Sequence, residues 1–125
     1  MGDRGNVKVD GVYLYTHDMG TSLPFVVKRA LRKQWRWDDS AYLARIIFCE
    51  MIKGREQDEF GFGISTQPCD WNHPTIDVDC EANKVFIIEE SFSEKKGQTL
   101  VAIPFRDFIE MQDTQLRELL QGVRY

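Results

Sequence analysis

The chain has 125 residues, 42% hydrophobic and 12% aromatic, enough for a single domain (residues 1–125) with a real core and too apolar for wholesale disorder. No apolar run reaches the length of a membrane-spanning helix, and the first residues lack a signal peptide's apolar stretch, so a cytoplasmic location is expected. The net charge of −4 is unevenly spread: residues 28–36 hold five cations and no carboxylate, a local +5 that leaves −9 to the rest. That balance argues against general nucleic-acid binding and for recognition of an anion at one place.

From Val7 to His17 the residues alternate, the pattern of one strand with Gly11 as a bulge. Val12, Leu14 and Thr16 share one face of it; Tyr13, Tyr15 and His17 share the other. After a turn at Met19-Gly20-Thr21, Ser22 and Pro24 mark a helix start. Leu23, Val26, Val27, Ala30 and Leu31 form its apolar stripe, with the basic residues on the opposite arc.

Residues 36–54 contain the clearest helix. Asp38, Asp39 and Ser40 supply capping oxygens and negative charge at its start, and Lys53 and Gly54 suit its end. Leu43, Ala44, Ile47, Phe48, Met51 and Ile52 fall on one wide arc. Tyr42, Ile46 and Cys49 lie off that arc, among Arg45, Glu50 and Lys53. A helix apolar around so much of its circumference is covered on more than one side, so self-association is expected.

A charged loop leads into F-G-F-G-I-S-T, a strand with one nearly bare face. Q-P-C-D-W-N-H-P reads as a loop. Thr75 to Cys80 alternates and turns at residues 81–84 into Val85–Glu89, a hairpin. The polar segment 91–98 precedes a last strand, T-L-V-A-I. Pro104 opens a short helix, and Asp113 or Thr114 caps a final one that uses Leu116, Leu119, Leu120 and Val123. The order β-α-α-β-β-β-β-α-α predicts an α+β fold: an antiparallel sheet of about five strands with helices on one face.

Several phrases belong together: Val12-Tyr13-Leu14-Tyr15-Thr16-His17, Arg36-Trp37-Asp38-Asp39, Tyr42-Leu43-Ala44-Arg45-Ile46-Ile47-Phe48 and Gly61-Phe62-Gly63-Ile64-Ser65. Over about the first two-thirds of the chain they resemble a group of small uncharacterised proteins of bacteria and their phages. That group has no assigned activity, so the resemblance implies no catalytic residue. In size and type, though not in motif, the chain is also similar to phage counter-defence proteins that sequester cyclic nucleotide signals.

Among chemistry-bearing residues, Cys69, His73 and Cys80 lie close in sequence, with His17 as a distant fourth ligand for zinc. Their spacing matches no zinc motif, and Asp77 and Asp79 are explained as the wet face of a strand, so no metal is expected. Three cysteines without a C-x-x-C pair read as reduced thiols, and a Cys69–His73 thiolate pair lacks a local signature. Neither Asp38-Asp39 nor Glu89-Glu90 requires a catalytic role, and G-F-G-I-S lacks the ending of a phosphate loop. No cofactor is expected.

Two features remain. Tyr13, Tyr15 and His17 offer rings that stack on a flat ligand or stabilise the sheet as a ladder. Arg29, Arg32 and Arg36 follow at spacings of three and four, with Trp37 at the end and Lys28, Lys33 and Trp35 interleaved. Such guanidinium forks match phosphates and an indole covers a base; the plainer alternative is a solvated helix face.

The sequence therefore points to a non-enzymatic, oligomeric binding protein. It would capture a small anionic, nucleotide-like ligand through Arg29, Arg32, Arg36 and Trp37, with Tyr13, Tyr15 and His17 as stacking rings. The likeness in type suggests a phage signal sponge. The alternative is an interaction module that blocks a host protein through its acidic surface. The first expects a basic concavity with aromatic walls; the second expects a flat or apolar exposed patch.

Overall fold

The computed structural model describes residues 2–91 and 97–125. Its N-terminal alternating segment is a hairpin instead of one bulged strand. β1 (Gly5–Val9) and β2 (Val12–Thr16) pair antiparallel, with Val9 opposite Val12. Asp10 takes φ 54° and joins Gly11 in a two-residue turn. Asp-Gly between alternating runs is the composition that such turns favour, because it tolerates positive φ.

The chain continues through α1 (Leu23–Arg32), α2 (Ser40–Ile52), β3 (Phe62–Ser65), β4 (Thr75–Asp79), β5 (Lys84–Glu89), β6 (Gln98–Pro104), α3 (Phe105–Glu110) and α4 (Asp113–Gly122). The fold is α+β, with one six-stranded sheet in the order β3-β2-β1-β4-β5-β6. Neighbours pair antiparallel except β1 and β4, which run parallel with Val7 opposite Ile76. Between those two strands the chain makes β2, both long helices and β3. That excursion is long enough for the crossover a parallel pair requires.

Alternation decides the core. Val7, Val9, Leu14, Ile76, Val78, Val85 and Ile87 are buried in one cluster with Leu23, Val26, Leu31, Leu43, Ile47, Phe105, Phe108 and Leu116 from the helices. Each such side chain, fully withdrawn from water, contributes about 1.5–3 kcal/mol. α2 starts as its composition predicts: Asp39 is the N-cap, and its carboxylate accepts from the Tyr42 N–H at 3.2 Å. Its buried arc is rotated from the expected one. Ile46 packs into the core, while Tyr42 and Cys49 are exposed and Ala44 and Phe48 half-buried. α4 is capped one residue earlier than expected, by Gln112, whose N–H donates to Gln115 Oε1 at 2.8 Å. Lys28 is buried on α1 and donates to Asp113 at 3.0 Å, fastening α4 to the layer.

The far side of the sheet is crossed by residues 66–74. Asn6 is fully buried there. Its Nδ2 donates to the Cys69 carbonyl at 3.0 Å, and its Oδ1 accepts from the Cys69 N–H at 3.2 Å. Among the described residues no helix is long and apolar enough to cross a membrane.

Candidate functional site

The expected arginine row does not form, because the helix that would carry it ends too soon. α1 stops at Arg32, and Gln34 and Arg36 then take φ of 58° and 56°, turning the chain away from the helical path. Arg29 and Lys33 both face Glu50 of α2, at 3.2 and 3.7 Å. Arg32 lies on the Asp113 side; that carboxyl is held below its ordinary value first by the Lys28 hydrogen bond, then by surrounding cations including Arg32. Arg36 stacks over Tyr42, 4.5 Å from the ring centre. Trp37 is a wall of the core. Its ring meets Phe105 edge-on at 5.3 Å, its N–H donates to the Leu31 carbonyl at 3.1 Å, and Arg106 covers it.

Tyr13, Tyr15 and His17 occupy the sheet's other side. Tyr13 is buried opposite Lys8, whose ammonium lies 5.7 Å from the ring centre. Burial raises the Tyr13 phenol pKa, and Glu90 and Asp77 add to the shift. Tyr15 Oη and His17 Nδ1 lie 3.3 Å apart. Strand alternation thus puts the aromatic ladder on the sheet face away from the helical layer that carries the basic segment.

The helical layer does gather a different cationic group. Trp35, which follows α1, is 59% exposed, and the Lys33 ammonium sits 5.2 Å from its ring centre. Arg45, Cys49 and Lys53 follow at i, i+4 and i+8, so they form one ridge along α2 and its C-terminal cap. Lys33, Trp35, Arg45, Cys49 and Lys53 line a recess of about 270 Å³ together with Ile46, and Glu50 is its one carboxylate. The Trp35 end of this recess was visible in the basic run. Arg45 and Lys53 were not, because only the packing of α2 beside α1 brings them across.

No protein-family model, curated protein or solved structure matches the chain. Geometry and chemistry alone carry the functional reading.

A second concavity, of about 620 Å³, lies where β1 and β4 end beside the start of α2, and its lining includes Lys8, Asp10, Asp38, Asp77, Asp79 and Glu81. Burial raises the Asp77 pKa even though Lys8 opposes the shift, and neighbouring carboxylates reinforce it. Burial, and after it Asp79, Asp10, Asp39 and Asp38, push the Cys80 thiol up to about 11. Among the described residues no group of three or more His, Cys, Asp or Glu side chains could hold a metal ion, so the set Cys69, His73, Cys80 and His17 is not assembled. His73 instead joins the two chain ends. Its Nε2 is 2.5 Å from Asp3, its ring stacks on Tyr125 at 4.5 Å, and Tyr125 O–H donates to the Gly20 carbonyl at 2.7 Å. For Asp3, burial pushes the pKa up, but the Thr21 N–H and His73 outweigh it and hold the carboxyl low.

Proposed function

We propose that the protein binds an anionic partner without transforming it, on the cationic and aromatic surface formed by the end of α1, residues 33–36 and α2. One observation carries this reading: an exposed indole is flanked by Lys33, Arg45 and Lys53 around a recess that holds a single carboxylate. Ammonium and guanidinium groups satisfy phosphate oxygens, and the indole face covers a base by stacking. At about 270 Å³ the recess is open and slightly below the usual range for enclosed small-molecule pockets, so it suits a phosphate and its neighbouring ring better than an entire dinucleotide. A nucleotide-like anion fits this chemistry, and the likeness in type to phage signal sponges agrees with it.

Titration calorimetry against cyclic and ADP-ribose-type nucleotides, at low and high salt, tests the reading. Binding is expected to weaken about ten-fold in Trp35→Ala and in Lys33→Ala, and to weaken further with salt. Arg32→Ala, which lies outside the recess, is expected to bind as wild type does. No binding at millimolar nucleotide, or equal binding by Trp35→Ala, refutes it.

The acidic concavity supports a second reading, an interaction module that holds a basic segment of another protein in a hollow instead of on the flat or apolar patch expected from the sequence. Five carboxylates against Lys8 line that space, and they would attract lysine or arginine side chains. Binding of a lysine-rich peptide that is lost in Asp79→Asn would favour this reading over the first.

A further inference from the structure

We infer that the groove between α2 and the β2–β3 edge of the sheet is the seat of a second copy of this chain. The groove has a volume of about 430 Å³, and Val12, Leu14, Ala44, Phe48 and Ile64 give it an apolar floor and walls. Ile64 in its wall is 61% exposed, so the groove carries a projection as well as a hollow. β3 is the sheet's outer strand on this side and holds neither a charge nor a proline, while its four residues make the edge too short to pair strongly by itself, so the side chains of the groove carry the contact.

The charges on the rim select the occupant. Asp10 and Arg45 both line the groove, and both side chains are exposed. Among the described residues the Asp10 side chain accepts a 3.3 Å hydrogen bond from Ser40 Oγ and makes no ion pair, and no ion pair involves Arg45. A two-fold axis through the groove presents the same rim in reverse order. Asp10 of one copy then meets Arg45 of the other, and symmetry repeats the contact. An unrelated basic or acidic partner would satisfy one of these charges and oppose the other. The groove shares Arg45, and no other lining residue, with the Trp35 recess, and because sedimentation is read without nucleotide, failure of the pairing and failure of the nucleotide reading are distinguishable.

Sedimentation of the full chain across about 1–100 μM tests it. Wild type is expected to move toward twice its 14.6 kDa mass. Arg45→Glu, on an exposed helix face, is expected to self-associate at least about ten-fold more weakly, and so is Asp10→Arg. Mixing these two variants is expected to restore pairing, because every opposed pair is then of unlike charge. Far-UV circular dichroism on each variant separates lost pairing from lost folding, and Arg45→Glu stays informative even if the turn variant misfolds. A wild type that remains at 14.6 kDa throughout overturns the inference. So does a dimer indifferent to Arg45→Glu, or a mixture that pairs no better than its components.

Discussion

Replacing Asn6 by alanine should cost this fold more than any contact visible in its sequence would suggest. The residue is fully buried, and its amide makes both hydrogen bonds to the Cys69 backbone, at 3.0 and 3.2 Å. Two such bonds contribute about 1 kcal/mol each in net terms, and an abandoned buried donor or acceptor costs about 1–3 kcal/mol. Cys69 is only half-buried, so water recovers part of that penalty. The expected loss is about 2–3 kcal/mol, a fall in Tm of roughly 8–12 °C at about 4 °C per kcal/mol for a chain of this size. Urea unfolding at pH 7 measures the loss, and hydrogen exchange at the Cys69 amide shows whether residues 66–74 have come away from the sheet. Asn6→Asp is a companion variant. It keeps an acceptor for the Cys69 N–H but sets a carboxylate against the Cys69 carbonyl, so it should be at least as damaging. A loss below about 1 kcal/mol for Asn6→Ala, or an unchanged Cys69 exchange rate, would refute the account.

Two other outcomes follow from titration. Asp77 has a folded pKa raised above its ordinary 3.8, so its ionisation costs folding free energy; the cost is absent below pH 3.8 and complete above the raised value. Asp77→Asn should therefore raise Tm at pH 7, with the gain shrinking as pH falls through that window, and a pH-independent effect would contradict the burial argument. Cys80, with its thiol at about 11, should react with iodoacetamide at pH 8 well after the exposed Cys49, as mass spectrometry of the alkylated chain can show; equal rates would mean that Cys80 is not shielded.

The elements of this protein were largely legible in its sequence because their signals are local. The α2 cap at Asp39, the apolar stripe of α1 and the alternation of β4 and β5 each depend on residues a few positions apart. Local signals also have more than one solution, as at Asp10-Gly11. A bulge and a two-residue turn both tolerate glycine there, and only the pairing of Val9 with Val12 distinguishes them. The site was less legible, because it depends on what separate elements place side by side. Helical spacing made Arg29, Arg32 and Arg36 a row, yet positive φ at Gln34 ended the helix's path and Glu50 of α2 took up Arg29. Composition makes Tyr13 and Trp37 equally available, but the sheet separates them: one lies buried beneath Lys8 and the other packs against Phe105. Periodicity specifies which residues share a face of one element. Which faces meet is settled by packing, and packing alone put Trp35 and Lys33 beside Arg45 and Lys53 across two helices.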